Sequence, residues 1–122
     1  MSDFEIRFFE KIIKEKPDHI DALKLLAEAY TRKKHYSEGL DMDQRLSVLC
    51  PEDPVVHYNL ACSLALVGKK EQAIQALKLS MKMGYVDLEH LKKDPDLDVL
   101  REDPSFHELI KSLEKSKNSN SR

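Results

Sequence analysis

Apolar residues recur at three- and four-residue steps along almost the whole chain, the spacing that lines one face of a helix. Phe4, Ile6, Phe9, Ile12 and Ile13 form the first such stripe, with Lys14 and Lys16 near its end, and Pro17 stops it. The next two stripes run from about His19 to Lys33 and from Tyr36 to Leu49. A fourth begins at Asp53-Pro54, where an N-cap acceptor precedes a proline whose missing N–H is harmless at the first helical position, and it ends at Gly68. Lys69 to Met83 makes a fifth helix, closed by Gly84. Leu88 and Leu91 then support a short helix before Asp94-Pro95, and Leu97, Val99 and Leu100 a further turn. Phe106, Leu109, Ile110 and Leu113 mark a final helix from Pro104 to about Lys115. The polar tail from Ser116 to Arg122 has no apolar anchor and is expected to be disordered.

These helices repeat. With a shift of 34 residues, Leu26 falls on Leu60, Ala27 on Ala61, Gly39 on Ala73, Leu40 on Ile74 and Pro17 on Pro51. A fixed period of this size, two amphipathic helices per unit, marks a solenoid. Small residues stand where antiparallel helices must approach: Ala27 and Gly39 in the first unit, Ala61, Ala73 and Ser80 in the second. Leu23, Leu26, Tyr30, Tyr36 and Leu40, and then Leu60, Leu64, Ile74 and Leu77, fill the remaining space.

The stretch Leu23-x2-Leu26-Ala27-x2-Tyr30, followed by Leu60-Ala61-x2-Leu64 and Ala73-x3-Leu77-x2-Ser80, resembles the tetratricopeptide repeat family. Asp43 and Leu46 stand where that family has an aromatic residue and an alanine, so the packing there is expected to be atypical, and His57 takes the Trp/Leu position. The resemblance implies an all-α fold, a short right-handed α-solenoid of antiparallel helix hairpins with N- and C-terminal capping helices. It divides residues 1–115 into an N-terminal capping half repeat (1–18), repeats at 20–53 and 54–87, and a C-terminal capping extension (88–115). The half repeat puts Phe9 at the family's aromatic position and Ile6 in line with Leu40 and Ile74.

Composition narrows the function. The apolar share of 41% and charged share of 34% are those of an ordinary single domain. A net charge of −2 gives no basic excess for nucleic acid. The opening residues contain no continuous apolar run, so no leader, membrane partner or membrane span is expected, and the reading is cytoplasmic. Cys50 and Cys62 have neither metal-type spacing nor a bridging framework, consistent with free thiols. The five histidines are scattered over different helices, with no spacing that builds a local metal site. Asp94, Asp96, Asp98, Glu102 and Asp103 approach a calcium loop, but Pro95, Leu97 and Val99 break it and the sixth position lacks glycine. There is no phosphate loop and no serine elbow. No catalytic residue, cofactor or metal is therefore expected, and the chain reads as a non-enzyme.

By the resemblance, the inner wall carries the binding surface. The groove-facing positions of the family fall on Asp21, Lys24, Leu25, Glu28, Thr31 and Arg32, and on Val55, Tyr58, Asn59, Cys62, Ala65 and Leu66. Lys24, Leu25, Glu28, Arg32, Val55, Tyr58, Asn59, Cys62 and Leu66 are the expected partner contacts, one wall charged and the other apolar, suited to an extended peptide or a helix. Lys24, Glu28 and Arg32 also read as a solvated i, i+4 ion-pair ladder. Chaperone-binding members clamp a terminal carboxylate, and Lys24 and Asn59 match that pattern. Glu28 stands at the clamp's first asparagine and would repel such a ligand. The function expected is an adaptor that binds protein or peptide in a concave groove; the alternative is a structural subunit, a homo-oligomer formed through the groove or the end helices.

Overall fold

A computed structural model describes residues 2–85 and 87–120, and these are helical apart from the connections. In chain order the elements are α1 (Asp3–Glu15), α2 (Ile20–Arg32), α3 (Tyr36–Leu49), α4 (Pro54–Leu66), α5 (Lys70–Lys82) and α6 (Leu88–Lys93). A 3-10 segment (Pro95–Leu100) and α7 (Pro104–Asn120) complete the chain. Local chemistry sets most of the ends. Ser2 and Glu5 form a reciprocal capping box on α1, and Asp53 accepts from the Val55 and Val56 amides ahead of Pro54. Asp94 accepts from the Asp96 amide at the start of the 3-10 segment.

Two helix hairpins form the body: α2 packs on α3 and α4 on α5, with α3 against α4 between them. The small residues sit where the repeat requires them. Ala61, Ala73 and Ser80 are fully buried, and Ala27 nearly so. At the α2–α3 crossing a Cβ on Gly39 would stand 2.9 Å from Thr31 Oγ1, whose hydroxyl donates to the Ala27 carbonyl, so only glycine fits without displacing that hydroxyl. α1 covers the open face of α2, burying Ile6 and packing Phe9 and Ile13 against the first cluster. At the other end the 3-10 segment lies on α4 and buries Leu97 and Leu100 in the second cluster, joined by Leu91, Phe106 and Leu109. Further helical elements thus pack on both ends of the hairpin pair.

The run expected as a polar tail, 116–122, begins within α7, which continues through Asn120; residues 121–122 lie outside the described residues. The run beyond Lys115 has no proline or glycine to stop it, and each added residue of an existing helix gains a backbone bond without a new nucleation cost.

The turns between paired helices need a left-handed residue. Gly68 takes it after α4 at φ 83°, and in the first repeat the equivalent position, 34 residues earlier, is Lys34 at φ 65°. A Cβ in that region costs about 1 kcal/mol. Lys34→Gly is expected to stabilise the fold by about 0.5–1 kcal/mol in thermal or urea unfolding; a loss of stability would show that the lysine side chain holds the turn.

Candidate functional site

A cleft of ≈ 580 Å³ opens on the inner face of the hairpins. α2 contributes Ala27, Glu28, Thr31 and Arg32, and α4 contributes Tyr58, Asn59, Cys62, Ser63 and Leu66. Asp43 enters from α3, and His90, Asp94 and Asp96 come from the C-terminal extension. Helical periodicity explains the α4 set: Asn59, Cys62, Ser63 and Leu66 are three or four residues apart and share one face.

Of the nine residues expected in the groove, Glu28, Arg32, Tyr58, Asn59, Cys62 and Leu66 line this cleft. Lys24, Leu25 and Val55 are exposed and lie outside its lining. Arg32 pairs with Glu28 on the surface of α2, whereas Lys24 enters no ion pair among the described residues. Such an exposed pair contributes only a few tenths of a kcal/mol, roughly.

Tyr58 is more deeply held than a contact residue needs to be. Only 4% exposed, it stacks on Tyr85 with ring centroids 4.4 Å apart and donates its hydroxyl to Asp94 Oδ2 at 2.6 Å. Burial, and then the bond to Asp94, push its phenol far above the ordinary range. Cys62 donates weakly to the same oxygen at 3.6 Å, and His90 Nε2 lies 3.2 Å from it. Burial, followed by the negative field of Asp94 and Asp96, pushes the Cys62 thiol well above its usual value, so it stays a thiol and is a poor nucleophile. Asp94 thus ties the extension to the second repeat: one oxygen caps the 3-10 segment and the other takes the α4 side chains.

Asp43, His90, Asp94 and Asp96 are the ionisable residues of the lining that groove positions alone miss. Asp43 is 4% exposed and accepts from the Ser63 hydroxyl; burial raises its carboxyl to about 6, against the lowering effect of that bond. Its departure from the repeat's aromatic position was the signal in the sequence. A carboxyl stands there in place of a ring and forms part of the cleft lining. Asp96 is half-buried and its carboxyl is raised by burial and then by Asp94 and Asp98. Asp94 was legible only as part of a broken calcium pattern; nothing local places it beside residues 32 and 36 positions earlier.

No family model matches the chain. It is 30% identical over 90 residues to a chloroplastic protein of Arabidopsis thaliana, covering 71% of this chain and 27% of that protein. The chain thus spans about a quarter of the length of that curated relative. Among solved structures, MamA superposes with a TM-score of 0.69 at 21% sequence identity, over 84% of this chain and 61% of that one. The likeness establishes a tetratricopeptide-like helical solenoid. No described helix is long and apolar enough to cross a membrane.

Proposed function

We propose that this chain is a non-catalytic protein-interaction module that seats a peptide or a helix of a partner along the inner face of its hairpins. The observation that carries the reading is the cleft itself. Its walls come from the first helix of each repeat and its end is closed by the C-terminal extension, so an elongated ligand meets fixed helical surfaces instead of loops. Asn59, Arg32 and Leu66 are its accessible contacts; Tyr58 and Cys62 form its floor. The protonated thiol and the spent hydrogen-bonding capacity of Tyr58 give the floor no activated nucleophile, which favours binding over turnover.

The test is affinity capture with the wild type beside two double variants. Asn59→Arg, Leu66→Arg fills the cleft, and Glu71→Lys, Gln75→Glu alters the outer face of α5. Recovery of the bound protein is expected to fall at least tenfold with the first and to hold with the second. Loss with the second alone would move the binding surface to the outer face.

A second reading, self-association, has its own observation: Phe4 and Phe8 on α1 are 72% and 54% exposed. Sedimentation equilibrium decides it, because a monomer mass that holds up to the millimolar range removes the homo-oligomer.

A further inference from the structure

The cleft wall holds four carboxyls, Glu28, Asp43, Asp94 and Asp96, against the Arg32 guanidinium and the His90 imidazole. Arg32 pairs with Glu28 at the solvent edge, and His90 reaches Asp94 alone. Asp43 is the telling group. It is buried in the wall, the neutral hydroxyl of Ser63 is its sole donor, and no Lys, Arg or His lies within ion-pair distance of it among the described residues. A carboxyl taken out of water without a counter-charge is a cost that a fold retains only where something offsets it.

A second set of acceptors in the lining suits a cation as well. Cys62 Sγ and the carboxyl oxygens of Asp94 and Asp96 lie within 4.8 Å of one another. An ammonium with three diverging N–H groups, each making a bond of about 2.8 Å, spans a set of that width. A divalent metal ion is served less well, because Asp94 Oδ2 already accepts from Tyr58 and Cys62 and its other oxygen from the Asp96 amide, leaving few free lone pairs for a metal's full coordination shell. An anionic group would meet like charge on three sides. Ala27 and Leu66 in the same lining give an aliphatic stem somewhere to lie.

We propose that the cleft takes a cationic side chain, a lysine ammonium or an arginine guanidinium, of the polypeptide bound along the inner face, with Asp43 and the Asp94–Asp96 pair as its counter-charges. The inference rests on the interaction-module reading and names the chemistry of its ligand.

The probe is a set of immobilised, N-acetylated and C-amidated octapeptide pools, randomised except at one central position fixed as Lys, Arg, norleucine or Glu. The full chain is expected to be retained at least tenfold more by the Lys or Arg pool than by the norleucine and Glu pools. Which of the two cations is preferred is read directly. Asp43→Asn and Asp96→Asn should each erase most of that preference, and raising salt from roughly 0.05 to 0.5 M should weaken it. Equal retention by Lys and norleucine pools, or a preference indifferent to both substitutions, overturns the cation inference while leaving the groove reading intact. Preference for the Glu pool overturns it too. Retention by no pool overturns both. Zinc or calcium chloride alone, perturbing the amide resonances of residues 62, 94 and 96 at micromolar concentration, would assign the same oxygens to a metal and overturn the proposal.

Discussion

Asp43→Asn is expected to raise the unfolding free energy at pH 7 by about 2 kcal/mol, or roughly 10 °C in melting temperature for a domain of this size. The folded carboxyl stands at about 6 against an ordinary 3.8, with burial as the first cause. Each pH unit of that gap is worth about 1.4 kcal/mol, which sets an upper limit near ~3 kcal/mol. The direction follows from proton linkage. Between the two values the folded state holds a proton that the unfolded chain has released, so stability is complete below pH 3.8 and is lost as the pH rises through about 6. Asparagine cannot ionise, and its carbonyl still accepts from Ser63. Wild type and variant should therefore coincide near pH 4 and separate progressively toward pH 7 in urea unfolding monitored by circular dichroism. Parallel curves, or a less stable variant at pH 7, would refute the account of Asp43 as an uncompensated buried carboxyl. Together with the peptide pools this places one residue on both sides of a trade: the variant gains stability and loses its preference for a cation.

Leu97→Ala is expected to cost about 3 kcal/mol, within the roughly 2–5 usual for truncating a buried leucine. Leu97 is fully buried in the cluster that joins the 3-10 segment to α4, α5 and α7, and its loss leaves a cavity that rigid neighbouring helices cannot close. Val99, two residues on in the same segment, is 40% exposed and supplies the control. Val99→Ala should change stability by no more than about 0.5 kcal/mol. Because Asp94 heads this segment and holds Tyr58 and Cys62, amide exchange around residues 58–62 should quicken with Leu97→Ala and stay unchanged with Val99→Ala. Equal effects from the two substitutions would mean that the extension is not a plug on the second repeat.

The chain order of the helices was legible because its signals are local. Asp-Pro punctuation at three starts, glycines after α4 and α5, and apolar stripes at helical spacing need no knowledge of distant residues. The shift of 34 residues added the pairing of helices into hairpins, since Ala61, Ala73 and Gly39 can only be explained by close neighbours. The end of α7 is not legible for the same reason in reverse: a polar run gives no stop signal and no apolar stripe that marks where the helix continues.

What the amino-acid order determined by itself was the set of helices, their antiparallel pairing and the face of α2 and α4 that looks inward, all consequences of side-chain size and period. What only the tertiary structure decided was the character of that face. Tyr58 and Cys62 occupy inward positions, yet the fold covers them with Tyr85, His90 and Asp94, and it brings Asp43 and Asp96 into the wall from other elements. Charge in a cleft is a sum over groups distant in sequence, and burial sets whether each is ionised, so neither quantity is written in any single stretch of the chain.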